Sequence, residues 1–193
     1  MTPVAASATT WLTAAFSHVC GQAAAHTWAP GGEALPVCQR CLGLYSGAVA
    51  ALLLMLLVRP NPDHLLRWLF SLFLLQMVPF GFHWVEQGPL TRTVTGYLLG
   101  AGLSGLLWYA ARGAAEVPGS HHRWRQASFV GGMLAGLAAL LWRASGGGRY
   151  DAAILAGLAA LGFAVLLVQC GWSAAVCVRW AGQRMCAGRQ GAR

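Results

Sequence analysis

Five side chains near the start of the chain are suited to metal or thiol chemistry: His18, Cys20, His26, Cys38 and Cys41. The last two form a Cys-x-x-Cys pair inside LPVCQRCLGLYSG, residues 35–47, and an apolar run follows at once. Two thiolates at that spacing can close on one metal ion, and zinc and iron both accept tetrahedral sulfur and nitrogen sets. The same spacing permits a disulfide across one turn, as in thiol oxidoreductases. Cys41 falls at the start of an expected helix, where unpaired backbone N–H groups and the helix dipole favour a thiolate, which serves either chemistry. Between Cys20 and Cys38, the residues Pro30, Gly31, Gly32 and Pro36 let the chain turn back. Cys20 is therefore expected beside the pair, with His18 or His26 as a fourth group. Leu42 follows Cys41, so the Cys-x-x-Cys-His signature of covalent haem attachment is not present there. Cys170, Cys177 and Cys186 read as small hydrophobes without a shared site.

A second group of polar residues lies in FHWVEQGPLTR, residues 82–92. It offers His83, Glu86, Gln87 and Arg92, of which His83 or Glu86 could complete a metal shell or contact a ligand, and Arg40 stands inside the Cys-x-x-Cys pair itself. Trp84 suits an interfacial anchor. His121 and His122 sit beside Arg123, Trp124 and Arg125 and read as a solvated turn at a lipid surface.

The elements that must hold these residues are membrane helices. Hydrophobic residues make up 57% of the 193, and charged residues 9%, against about 25% charged in soluble domains. A bilayer core takes about 20 apolar residues as helix. Five stretches approach that length: 42–58, 65–82, 94–111, 127–142, and a fifth from Ala152 to between Val168 and Val176. Val4–Val19, rich in Ala, Ser and Thr, reads as an interfacial helix. The expected fold is an all-α polytopic bundle of about five transmembrane helices. An N-terminal Cys/His module (1–41) precedes the bundle (42–176), and a basic C-terminal tail (177–193) follows it. The short connections make the first and second spans expected neighbours, with residues 82–92 close to the cysteines.

The net charge of +8 comes from thirteen arginines scattered among apolar runs, with no lysine. No basic stripe interleaved with aromatics exists, which argues against nucleic acid. The lack of lysine, with one asparagine (Asn61) and one isoleucine (Ile154), reads as the codon bias of a GC-rich bacterial genome. Nine arginines (59, 67, 112, 123, 125, 179, 184, 189 and 193) fall on one side of the expected layout and four (40, 92, 143 and 149) on the other. Positive residues favour the cytoplasm. The expected placement is thus a bacterial inner membrane, with the N-terminus outside and the C-terminus inside. Small residues four apart, Gly96, Gly100 and Ser104, then Ser128, Gly132 and Gly136, allow close helix approach. Such faces also suit a membrane-protein partner or a second copy of the chain. Gln76, within the second span, is expected to hydrogen-bond between helices.

Two motifs carry a resemblance. VCGQ at residues 19–22, followed by Cys38, Arg40, Cys41, Gly43, Leu44, Tyr45 and Gly47, resembles the bacterial membrane family called domain of unknown function 2085. Arg92, Thr95, Gly96 and Gly100 are similar to its second block. The resemblance covers about residues 15–110 and implies a small polytopic protein with a cysteine-containing extramembrane module, without an established reaction. Two departures stand out: the family's His after the first Cys is Gly21 here, and its Asp before Gly81 is Phe80.

Three functions follow from these readings. The first is a membrane protein with a Cys/His metal site, structural or ligand-binding, at the outer end of the first membrane helix. The second is a thiol–disulfide or metal-dependent membrane enzyme using Cys38 and Cys41. The third is an accessory or scaffold subunit packing through its glycine faces.

Overall fold

The computed structural model describes residues 3–60, 64–81, 84–112, 122–146, 148 and 150–190. The described chain is helical, with a single isolated β-bridge. The helices are α1 (Pro3–Phe16), α2 (Gln39–Val58), α3 (His64–Leu75), α4 (Met77–Gly81), α5 (Pro89–Arg112), α6 (His122–Ser145) and α7 (Asp151–Gln190). Four of them hold stretches long and apolar enough to cross a membrane: Gln39–Val58, Pro89–Ala111, Trp124–Ser145 and Asp151–Arg179. Large apolar side chains face outward along these helices, Leu57, Trp142, Val168 and Trp172 among them. Such a surface suits lipid and would be a liability in water.

The expected second span is shorter and broken. Its apolar part covers Leu66–Phe80, and a turn at Gln76 separates α3 from α4. Pro79 accounts for the break: it lacks an N–H, and its ring collides with the carbonyl four residues back, at Leu75. Gln76 makes use of the interruption, because its Nε2 donates to the Thr95 carbonyl of α5 at 2.8 Å. At the other end of the chain, α7 continues to Gln190, so the basic segment from 177 to 190 is helical.

The centre of the bundle is the α2–α5 pair, not α2–α3 as the short connections suggested. α3 packs on α5 and makes little contact with α2. The reason is the glycine faces. A Cβ on Gly43 or Gly47 would strike the carbonyl of Thr93 or Tyr97, and one on Gly96 or Gly100 would strike the carbonyl of Arg40 or Leu44. Glycines on both helices thus let the two backbones touch, a closeness that bulkier neighbours cannot reach. α7 joins at Gly162, against the Tyr45 carbonyl. On α6, Gly132 meets Leu54 and Gly136 meets the Tyr97 hydroxyl. That hydroxyl donates to the Met133 carbonyl at 3.0 Å. Phe70 of α3 is fully buried among Tyr109 and Phe129. Arg143 and Asp151 close the α6–α7 turn with an ion pair at 2.8 Å. The N-terminal ends of α2 and α5 therefore emerge together, and the cysteine module sits on them.

Candidate metal centre

The module is built from turns. After α1 the chain forms 3₁₀ turns at Ala24–His26 and Pro30–Gly32. Gly31 and Gly32 adopt φ of 64° and 84°, the left-handed region that glycine enters without a Cβ penalty. The Leu35 N–H then donates to the Trp28 carbonyl at 2.9 Å, and Thr27 pairs antiparallel with Cys38. The chain has thus doubled back as its prolines and glycines foretold. Gln22 fixes the fold of this loop. Its backbone has φ of 44°, unusual for a residue with a side chain, and its Nε2 donates to the carbonyls of Thr13 at 2.8 Å and Pro36 at 2.7 Å. One amide therefore ties α1 to the segment that leads into Cys38. Trp28 docks the module on the membrane helices, with Nε1 donating to Thr93 Oγ1 of α5 at 2.9 Å.

These contacts bring the three cysteines together. The Sγ atoms of Cys20, Cys38 and Cys41 all lie within 4.8 Å of one another, and all three thiols are free. Cys20 is buried, while Cys38 and Cys41 are half-buried. Cys38 is the N-cap of α2 and Cys41 lies in its first turn. The Cys38 thiol is pushed down to about 5, first because the Cys41 side chain hydrogen-bonds to it. The backbone N–H groups of Cys41 and Arg40, together with the Cys20 side chain, add to this, against a desolvation penalty that acts the other way. A thiolate at a helix start is the form that binds metal or attacks a disulfide.

The donor set fits a thiophilic cation. Sulfurs 2.3 Å from a tetrahedral zinc stand roughly 3.8 Å apart, and the three observed separations all fall within 4.8 Å. Three sulfurs would supply three ligands and leave one position for another group. Neither His18 nor His26 belongs to the three-cysteine group; both side chains are exposed. His26 nonetheless lines the cavity that Cys38 also lines. That cavity, of about 190 Å³, has Gln22, Arg40, Gln87 and Arg92 on its walls. Arg40 spans from α2 to α4 and the segment leading into α5, its Nη2 donating to Gln87 Oε1 at 2.7 Å and to the Phe80 carbonyl at 3.5 Å. The loop expected near the cysteines is therefore there. Glu86 is exposed and is not among the cavity's wall residues, and His83 lies outside the described residues. Gln22 and Trp28 escaped the sequence reading as site residues, whereas Gln87 was among the groups offered by the 82–92 loop. Amides and an indole carry no chemistry of their own, and only Gln22's place beside Cys20 hinted at a role.

Residues 20–106 match the family model described as predicted membrane protein DUF2085, a stretch that holds all three cysteines and the α2–α5 pair. Neither the curated proteins nor the solved structures contain a match to the chain.

Proposed function

We propose that the chain, whose residues 20–106 match the DUF2085 membrane-protein model, is a metal-binding membrane protein whose Cys20, Cys38 and Cys41 hold one zinc or iron ion at the outer end of α2. The observation that carries this reading is the convergence of three thiols from two separate segments to within 4.8 Å. Free cysteines used as packing have no need to meet, and a disulfide needs two of them. His26, on the wall of the adjoining cavity, is the residue best placed to supply a fourth ligand after a side-chain movement. A site with three protein ligands and a fourth position toward a cavity is the pattern of ligand-binding or catalytic zinc, whereas purely structural sites are closed by four. X-ray absorption of the purified, metal-bound protein tests the assignment. The spectrum should show three sulfur scatterers at about 2.3 Å for zinc; a shell made only of oxygen and nitrogen would refute it.

The second reading, thiol–disulfide exchange by Cys38 and Cys41, is favoured by one observation: the Cys38 thiol is held near 5 at the start of a helix. Under this reading Cys38 is the attacking sulfur and Cys41 the resolving one. Mass spectrometry after oxidation would find a Cys38–Cys41 disulfide that forms reversibly, with Cys20 left reduced.

The proposed placement is an inner membrane with the module outside and the end of α7 in the cytoplasm, which the arginine distribution supports. Reporter fusions at residue 120 and after residue 193 should both report cytoplasm, and a periplasmic signal at either would reverse the layout.

A further inference from the structure

The cavity beside Cys38 has an unbalanced charge. Two arginines reach it from different helices, Arg40 from the first turn of α2 and Arg92 from the first turn of α5. Among the described residues no carboxylate lines it. Among the described residues the ion pair is Arg143–Asp151, so neither arginine has a carboxylate oxygen within 4.0 Å. Arg40 is oriented by the Gln87 side-chain oxygen and the Phe80 carbonyl, which are neutral acceptors. Both recorded bonds use Nη2, so Nη1 and Nε keep their donors for another group. The cationic groups cannot be explained as solvated surface alone, because both arginines are half-buried. The N-terminal ends of two long helices open at the same place, and their dipoles add positive potential. Among the described wall residues, the one group able to carry negative charge is the Cys38 sulfur. A bound metal would offset it, and the two arginines outweigh it in either state.

We propose that this cavity binds a phosphate-type oxyanion held between Arg40 and Arg92, with His26 as a further donor. The cavity, of about 190 Å³, has room for a phosphate group. Donors from three segments, the module, α2 and α5, suit a tetrahedral anion better than a flat carboxylate. The site lies where two membrane helices begin, so the phosphate belongs either to a soluble phosphate compound or to the headgroup of a phosphomonoester lipid. This inference rests on the arginines and does not require the metal.

The test uses the full chain. Binding of radiolabelled inorganic phosphate is measured by equilibrium dialysis in neutral detergent, and binding of phosphatidic acid is measured in nanodiscs against phosphatidylcholine alone. Metal content is read on the same samples. Saturable phosphate binding that falls about tenfold or more in Arg92→Gln and in Arg40→Gln supports the soluble source. Selective retention of phosphatidic acid with the same loss, but no binding of inorganic phosphate, supports the lipid source. Arg92→Gln should keep the wild-type thermal midpoint and metal content, which separates a lost ligand contact from a lost fold. No binding of either probe, or binding unchanged in both variants, overturns the proposal. Phosphate binding in protein that holds no metal would leave this site standing and remove the metal reading; metal without phosphate binding would do the reverse.

Discussion

The backbone N–H of Cys38 donates to the Sγ of Cys20 at 3.2 Å. Two residues eighteen apart in sequence are thereby registered before any ion is considered. An N–H···S bond of this kind holds the Cys20 sulfur toward the first turn of α2, where Cys41 presents the third sulfur. The cluster is pre-formed by the fold of the module, which lowers the ordering cost of taking up a metal.

Cys38 should be the most reactive thiol of the metal-free protein. Its pKa is pushed down to about 5, so the thiolate dominates above that pH and is lost as the pH falls through it. Alkylation by iodoacetamide, followed by peptide mapping, should label Cys38 first, with a midpoint near pH 5 where an ordinary thiol shows about 8.5. Bound metal should suppress the labelling and be released on acidification, as protons compete for sulfur. A Cys38 midpoint between pH 8 and 9 would show that the N-cap environment does not activate it.

Gly21 stands where the resembling family has histidine, and the position has room for one. A Cβ there meets nothing within 4 Å, and its φ is not positive. Gly21 also lines the same cavity as Cys38. Gly21→His should therefore fold normally and tighten zinc binding by about tenfold or more, measured by competition with a chromophoric chelator. Unchanged affinity would mean that the new imidazole cannot reach the ion.

Much of this site was legible because its signals are local. The three-residue spacing of Cys38 and Cys41 sets two sulfurs on one turn, and Pro30, Gly31, Gly32 and Pro36 announce the reversal that returns Cys20. The apolar runs revealed the membrane helices for the same reason. Contacts between distant segments were not legible. Nothing in the spacing of Gly43 and Gly47 says that their partners are Thr93 and Tyr97, about fifty residues on; the small-residue faces read from the sequence were those of α5 and α6. Chain order pointed instead to α3, which packs on α5, with Gly102 against the Phe70 carbonyl and Gly105 against the Phe70 ring. That the Gln76 amide reaches the Thr95 carbonyl of α5 follows only from the packing of distant segments. The pairing of Arg40 with Gln87 likewise follows only once α2 and α5 are adjacent.

The α2–α5 contact gives a paired stability prediction. Gly100→Ala places a methyl group against the Leu44 carbonyl, which cannot rotate away. The cost should be at least the roughly 1–3 kcal/mol typical of overpacking, seen as a lower thermal midpoint in detergent. Gly157→Ala, on α7, meets nothing within 4 Å. It should be neutral or slightly stabilising, since alanine favours helix over glycine by about 0.5–1 kcal/mol. Equal effects of the two changes would contradict the close packing of α2 on α5.

The most direct test of the metal centre is elemental analysis of the full chain, purified without chelator, with thiol titration of the same sample under denaturing conditions. The prediction is one zinc or iron per chain, with Cys20, Cys38 and Cys41 all reduced. Metal should be lost in Cys38→Ser and in Cys41→Ser, while Cys170→Ser, whose thiol is exposed and far along α7, should retain it. Wild-type protein that purifies without stoichiometric metal and takes up none on reconstitution, with the three thiols reacting independently, would contradict the account.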